Sequence, residues 1–315
     1  MPSITTHFIH SDEVYKRLKK DTQKDLEDKL NIYHVFAQSH DIFFYSPNKE
    51  IKALGRTGHH KKTKAYLMNI VKNIIDNNLQ EDTSTLAYLY GSITHYVLDT
   101  TCHPYIFYKT GIYKHNKETL KYRGLHSKME RDIDAIYYEK YYKKPYKYFN
   151  ISKEIINNPD INTNLSSILD KTYKETYDFD DASMHLKKCL KYLKLISNLI
   201  CKDKIGIKYH LINVVDKISH NHLSSYSNFH KVNRDYLNLK HKTWTHPSND
   251  KEKHNESFDD LFELATKKAV TIIETAHNVI INNQDIDKLD KLITNIDYST
   301  GLDVDNNKGM KYFDF

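Results

Sequence analysis

Two pairs of metal-type side chains, each with a spacing of four residues, constrain this chain more than any other feature. His95 is followed by Asp99, and His126 is followed by Glu130. Residues four apart on an α-helix lie on one face, one turn above the other. Each pair can therefore present an imidazole nitrogen and a carboxylate oxygen to a single ion. The spacing predicts two helices that each contribute part of a metal site.

A third histidine lies between the two pairs. His103 follows Asp99 by four residues and precedes Pro104. Imidazole together with carboxylate suits zinc, and the number of ligands favours a site with more than one ion. Because the residue before a proline is pushed out of the α region, we expect the helix to end here and His103 to lie at its end. The simpler interpretation of any single pair is a surface hydrogen bond.

Three positions nearer the N-terminus are candidates to join this cluster. His7 lies just before a predicted helix, Asp41 lies in a turn bounded by aromatic residues, and the neighbours His59 and His60 follow two glycines. Each also has an ordinary explanation. His7 can be a terminal surface residue, Asp41 a turn residue or helix cap, and the two histidines polar residues at a helix start.

Hydrophobic periodicity predicts an all-α fold. With only 8 glycines and 6 prolines in 315 residues, long segments run without interruption. Amphipathic helical patterns occur at residues 11–30, 61–78, 83–102, 126–141, 182–202, 205–219 and 256–283. Loop-like composition occurs at residues 45–58, 143–165, 221–255 and in about the last twenty. We find no strand alternation and no internal repeat.

The domain organisation predicted from these patterns is one multi-helix bundle with a helical C-terminal extension. The helical domain takes residues 1–285, with the metal-site core at about 1–145, and residues 286–315 form a C-terminal tail. The tail ends in an aromatic sequence at residues 311–315. It can be disordered, or its aromatic end can dock on the body of the protein.

Composition limits the location and the partners. No stretch reaches the apolar length of a membrane span, and the N-terminus lacks a basic region followed by an apolar run, so we expect a cytoplasmic protein. Three widely spaced cysteines argue against a disulfide framework, and Cys102 is either a helix-packing residue or a soft ligand. The net charge of +6 favours peripheral contact with anionic lipid head groups or polyphosphates and is too small and scattered to indicate a specific nucleic-acid partner.

On these motifs the chain resembles the bacterial zinc-dependent phospholipase C family, particularly its members without a signal peptide. The resemblance spans nearly the whole chain. It is carried by residues 6–7, 41–45, 55–63, 95–99, 102–104, 126–130, 242–247 and 256–262. The two helical ligand pairs are its most specific part.

The resemblance implies an all-α fold that holds two or three zinc ions in a cleft. One ion would be held by His103, His126 and Glu130, and a second by His59, His95 and Asp99. Asp99 would also bridge toward a third ion, which His7 would bind. Asp41 matches the family's acidic residue beside the metals, which acts as general base or orients water. Unlike the secreted members, this chain begins close to His7, and its His103 follows Asp99 by only four residues.

The resemblance therefore implies a zinc-dependent phosphodiester hydrolase that cleaves a phospholipid to diacylglycerol and a phosphorylated head group. A nuclease or nucleotidase is a second hypothesis, since fungal single-strand nucleases resemble the same helical trinuclear architecture. A third treats His40 and Asp41 as the dyad of an HD-type phosphohydrolase, which would leave His126 and Glu130 without a role. A zinc-stabilised helical protein without catalysis is the fourth, and closed four-ligand sites would support it.

Overall fold

The computed structural model describes residues 4–157, 159–200, 203, 205–219, 232–306 and 309–314. Within them the chain is mostly helical, which confirms the all-α fold class. The α-helices, in chain order, are α1 (Ile4–Arg17), α2 (Lys20–Lys24), α3 (Leu30–Phe36), α4 (Lys49–His60), α5 (Thr63–Asp76), α6 (Thr83–Thr110), α7 (Leu125–Tyr142), α8 (Ile151–Glu154), α9 (Thr163–Tyr177), α10 (Ala182–Ile200), α11 (Ile207–Ser219), α12 (Phe258–Ile280) and α13 (Asp287–Leu292). A 3₁₀ helix, Ser39–Tyr45, joins α3 to α4.

Helix α6 is the central element, and almost every residue in its first four turns is buried. The Asp82 side chain accepts a hydrogen bond from the backbone N–H of Thr85 and caps its start. Helices α3 and α12 pack along it. Gly91 allows the close approach of α3, because a Cβ at this position would lie 2.5 Å from the carbonyl oxygen of Tyr33. Since α6 carries His95, Asp99 and His103, this packing fixes the metal-type residues relative to the core.

Five predicted helices are confirmed with small shifts at their ends, and the prediction at 11–30 is wrong. The confirmed predictions at 61–78, 126–141, 182–202, 205–219 and 256–283 correspond to α5, α7, α10, α11 and α12, with residues 201–202 outside the described residues. Between 4 and 30 the chain instead forms α1 and the short α2, separated where Lys19 is extended. Helix α1 starts seven residues earlier than predicted because the carboxylate of Asp134, on α7, accepts hydrogen bonds from its first turn. That partner is remote in sequence.

Two predicted loops contain helices. Residues 49–60 form α4, whose start is capped by the Asn48 side chain accepting from the N–H of Glu50. Its two glycines are helical and buried, and a Cβ at Gly58 would lie 2.5 Å from the His40 ring. Residues 143–165 include a 3₁₀ turn, α8 and the start of α9, a helix that the periodicity missed. Tertiary packing decides both cases.

The predicted end of α6 at Pro104 is also wrong. The helix continues to Thr110, so His103 lies in its interior and not at its end. Proline removes one N–H donor from the helix, a cost that burial on either side of it offsets: Cys102 and Tyr105 are both buried. Gly301 packs against this turn, and a Cβ there would lie 2.6 Å from the Thr100 carbonyl oxygen.

The C-terminal third adds a small hairpin and a segment that returns to α4 and α6. Strands β1 (Trp244–His246) and β2 (Asn249–His254) pair antiparallel inside the predicted loop 221–255, of which residues 221–231 lie outside the described residues. After α13, Tyr298 is fully buried, and its N–H donates to the carbonyl oxygen of His59 at 2.9 Å. Near the chain end, the Asp314 N–H donates to the Tyr108 carbonyl oxygen. Among the described helices, none combines the length and apolar content needed to cross a bilayer.

Candidate metal centre

Four buried side chains from three elements form the first ligand group. They are His7 of α1, Asp41 of the 3₁₀ helix, and His95 and Asp99 of α6, and one ligand atom from each lies within 4.8 Å of all the others. His7 Nε2 is 3.2 Å from Asp99 Oδ1, and His95 Nε2 is 3.4 Å from Asp99 Oδ2. The two carboxylates thus face the two imidazoles across a common centre.

His59, in the last turn of α4, points at the same centre. Its Nε2 is 3.0 Å from Asp41 Oδ1, 3.6 Å from Asp99 Oδ2 and 3.4 Å from His95 Nε2. The adjacent His60 turns away and makes a 2.6 Å hydrogen bond to Asp297. Helix α4 therefore selects His59 from the neighbouring pair of candidates.

His103, His126 and Glu130 form a second group that meets the first. Glu130 Oε1 is 3.1 Å from His126 Nε2 and 3.4 Å from His103 Nε2. The other ring nitrogen of His103, Nδ1, is 3.6 Å from Asp99 Oδ2. Asp99 therefore lies between the groups, with one histidine a turn before it and one a turn after it on α6. All seven predicted ligands and Asp41 come together in one place.

Backbone carbonyl groups orient three of the histidines. His59 Nδ1 donates to the carbonyl oxygen of Gly55 at 2.7 Å, and His95 Nδ1 donates to that of Ala37 at 3.2 Å. In both rings this leaves Nε2 to face the carboxylates, which is the usual arrangement behind a metal-ligating histidine. His103 Nδ1 lies 3.0 Å from the Tyr298 carbonyl oxygen, so its Nε2 faces Glu130.

The start of α1, and with it His7, is anchored to the helix that carries Glu130. On α7, one turn after Glu130, the buried Asp134 accepts hydrogen bonds at 2.8 Å from both the N–H and the hydroxyl of Thr6. Arg131 Nη1 lies 3.4 Å from the same carboxylate. Sequence reasoning missed Asp134 and Tyr298; only the continuation of the four-residue spacing from Glu130 to Asp134 pointed to the former.

Burial and mutual attraction shift the pKa values in opposite directions. Burial alone lowers the pKa of His103, but the nearby Asp99 and Glu130 carboxylates outweigh it and raise this pKa to about 9. Burial raises the pKa of both carboxylates, but the surrounding histidines hold each pKa well below its usual range. Burial dominates at Asp41, whose pKa is raised, and at His95, whose pKa is lowered.

The side chains fit zinc in chemistry and in number. Histidine nitrogens and carboxylate oxygens are its usual ligands. Three buried carboxylate oxygens have no hydrogen-bond partner within the described part of the chain: Oδ2 of Asp41, Oδ2 of Asp99 and Oε2 of Glu130. This is expected of oxygens that bind a cation. A cavity of about 20 Å³ adjoins Asp99, Glu130 and Cys102. Cys102 is buried beside it but belongs to neither ligand group.

The HD-type interpretation does not fit this geometry. His40 Nδ1 lies 2.9 Å from the Tyr173 hydroxyl, and its ring packs on Tyr66 at 4.3 Å between centroids, while His126 and Glu130 are part of the centre. His40 is therefore not paired with Asp41 on an ion.

Comparison with known proteins agrees with this site. The family model described as zinc dependent phospholipase C matches residues 6–179, more than half of the chain and every ligand candidate. Searches of curated proteins and of solved structures found no match. The match shows that this chain belongs to the zinc-dependent phospholipase C family.

Proposed function

We propose that the protein is a zinc-dependent phosphodiester hydrolase that acts on phospholipids. The observation that carries the proposal is the meeting of two ligand groups at Asp99, whose carboxylate lies 3.4 Å from His95 Nε2 and 3.6 Å from His103 Nδ1. Adjacent ion sites are the arrangement that in-line displacement at phosphorus uses. A single structural ion would need only one closed set of four ligands.

Each ligand group has its own place in the proposal. The second group would hold one ion, and the first group, with His59, would hold one or two more, with Asp99 available to both. The assignment of ligands is His103, His126 and Glu130 for the former and His7, His59, His95 and Asp99 for the latter. Zinc ions bound close together lower the pKa of a water and stabilise the attacking and leaving oxygens of a phosphoryl displacement.

Asp41 is the proposed acceptor of the proton from the attacking water. Its Oδ1 is held by His59 at 3.0 Å, and its Oδ2 is buried with no hydrogen-bond partner among the described residues. Burial raises the pKa of this carboxyl, and a carboxylate within hydrogen-bond reach of the attacking water can act as general base. The alternative role, a further ligand in the first group, predicts loss of an ion in Asp41→Asn; the base role predicts bound zinc and a slow reaction.

The solvent exposure of the second ligand group supports a catalytic site rather than a purely structural one. The His126 side chain is 28% exposed and that of His103 is 12% exposed, whereas those of His7 and His95 are 3% and 0% exposed. The second group therefore opens toward solvent on one side. A phosphate group of a substrate would enter there, and the rest of the centre stays shielded from water.

Metal analysis together with a substrate panel tests the proposal. Purified protein is expected to carry two or three zinc ions per chain and to release diacylglycerol from phosphatidylcholine. Single-stranded DNA and a nucleoside monophosphate serve as the comparison substrates. Faster hydrolysis of the nucleic acid would favour the nuclease hypothesis over the phospholipase. A protein with less than one zinc per chain would refute the proposal of a zinc-dependent hydrolase. Bound zinc without turnover of any substrate would leave the zinc-stabilised, non-catalytic hypothesis.

A further inference from the structure

Helix α11 presents an apolar stripe to solvent. Ile207, Leu211 and Val214 follow one another at intervals of four and three residues, so they share one face of the helix. Their exposed fractions are 58%, 64% and 55%. A helix of a globular protein normally turns such a stripe toward the core, and an exposed stripe of this kind marks an interaction site.

The end of α10 and the turn after it extend the stripe. Leu195, Leu199 and Ile205 are 57%, 60% and 73% exposed. The start of α11 is held beside α10, because Lys208 Nζ donates to the Leu199 carbonyl oxygen at 2.9 Å. The buried carboxylate of Asp203 accepts from the N–H groups of Gly206 and Tyr209 and fixes the turn. We call the side chains of residues 195, 199, 205, 207, 211 and 214 the 195–214 surface.

A groove joins this surface to the segment before α8. It has a volume of about 830 Å³, and Ile205, Ile207 and the half-exposed Tyr148 line it. The lysines Lys147, Lys153 and Lys208 lie along the same groove, together with Glu154 and Asp203. Apolar side chains and a small excess of cationic groups thus surround one opening.

The sequence that carries the 195–214 surface is rich in lysine. Residues 182–219 contain eight lysines and only two acidic residues. One of the two is Asp203, which is buried and used by the turn. Lys191 is exposed on α10, one turn before Leu195. An amphipathic surface with lysines beside Leu, Ile and Tyr is the composition that binds a membrane interface, and each lysine gains from anionic lipid.

We infer that the 195–214 surface docks the protein on a bilayer that contains anionic lipid. A second copy of the chain is a poorer occupant, because a two-fold interface would bring the lysines of one copy against those of the other. Nucleic acid is also a poorer occupant, since the six side chains of the 195–214 surface are aliphatic and, among the described residues of the adjoining groove, only Tyr148 offers an exposed ring for a base to stack on. The inference goes beyond the proposed chemistry, because docking requires neither zinc nor turnover.

Vesicle cosedimentation of the full chain tests the inference. The probes are vesicles of pure phosphatidylcholine and vesicles with 30 mol% phosphatidylserine. We expect binding to the anionic vesicles that weakens as salt is added. Ile207→Ser/Leu211→Ser should weaken it by about tenfold or more, and Lys153→Gln/Lys191→Gln by about fivefold per lysine. Leu239→Ser/Leu264→Ser, which changes two exposed leucines outside the surface (60% and 43% exposed), is the matched control and should bind like the unmodified protein.

Several results would overturn the inference: no binding to either vesicle, equal binding to neutral and anionic vesicles, or unchanged binding of both double variants. A dimer in analytical ultracentrifugation that Ile207→Ser/Leu211→Ser dissociates would assign the surface to a second copy. Circular dichroism melting confirms that the variants fold. Hydrolysis of a soluble, short-chain phosphodiester separates the two proposals, since vesicle binding without hydrolysis refutes only the proposed chemistry.

Discussion

Replacement of Glu130 by glutamine is the sharpest test of the second ligand group. Glu130 is 3% exposed, and its Oε1 lies 3.1 Å from His126 Nε2 and 3.4 Å from His103 Nε2. Glutamine has nearly the same size and keeps one acceptor oxygen, so the variant removes one negative charge with little change in packing. We expect Glu130→Gln to lose one zinc ion per chain while the first group keeps its own.

The magnitude follows from the loss of one negative charge beside a bound cation. At an effective dielectric constant of about 20, unit charges separated by roughly 3 Å attract by about 5 kcal/mol. The cost of burying a carboxylate offsets part of this, and we take about 3 kcal/mol as the net loss. That corresponds to a fall of more than about a hundredfold in zinc affinity. Because His103 also contacts Asp99 of the first group, loss of the ion at the second group should disturb the whole centre. The hydrolysis rate should therefore fall by at least a similar factor.

Elemental analysis after dialysis, with a competing chelator to obtain the affinity, measures the effect. Glu139→Gln is the control, because Glu139 lies on the same helix, its side chain is 42% exposed, and it contacts only the exposed Arg234 at 3.6 Å among the ion pairs of the described residues. It should keep the full zinc content and rate. Unchanged zinc content, affinity and rate in Glu130→Gln would show that the carboxylate holds no ion.

Three further predictions concern packing, pH and metal removal. Gly91→Ala should cost about 1–3 kcal/mol, because its Cβ would meet the Tyr33 carbonyl oxygen at 2.5 Å; thermal melting measures this, and an unchanged midpoint would contradict it. Burial lowers the pKa of His34 to about 4, against about 6.5 when unfolded, so its share of stability is complete above pH 6.5 and falls by about 3 kcal/mol toward pH 4. Urea titrations should therefore show a shallower acid loss for His34→Gln, and parallel curves would refute the assignment. A chelator should abolish hydrolysis and lower the melting midpoint, with both restored by zinc and not by magnesium.

The ligand set was predictable because its geometry is local. A spacing of four residues places His95 with Asp99 and His126 with Glu130 on helix faces whatever the rest of the chain does. The choice of His59 over His60 was not local, since it depends on how α4 rotates against the 3₁₀ helix. The resemblance to the family favoured His59 without excluding His60, and the structure places His59 at the centre.

The wrong predictions share one cause, which is burial by distant parts of the chain. Pro104 and Gly58 have low helix propensity, yet both lie in helices whose neighbouring side chains are buried. The early start of α1 depends on Asp134, which is 128 residues from Thr6. A sequence pattern over one helix length contains none of these partners. The predictions therefore followed local helix propensity, whereas the structure follows tertiary contacts.

The C-terminal segment contributes contacts to the metal centre from outside the region that the family model matches. That match ends at residue 179, but Tyr298 contacts ligands of both groups. Its N–H donates to the carbonyl oxygen of His59, its own carbonyl oxygen lies 3.0 Å from His103 Nδ1, and its ring lies 5.6 Å from that of His95 between centroids. A histidine ligand binds well only when its other nitrogen is held. The orientation of the His103 ring therefore depends on a residue more than one hundred positions beyond the matched region, and changes near Tyr298 should be judged as changes to the metal centre.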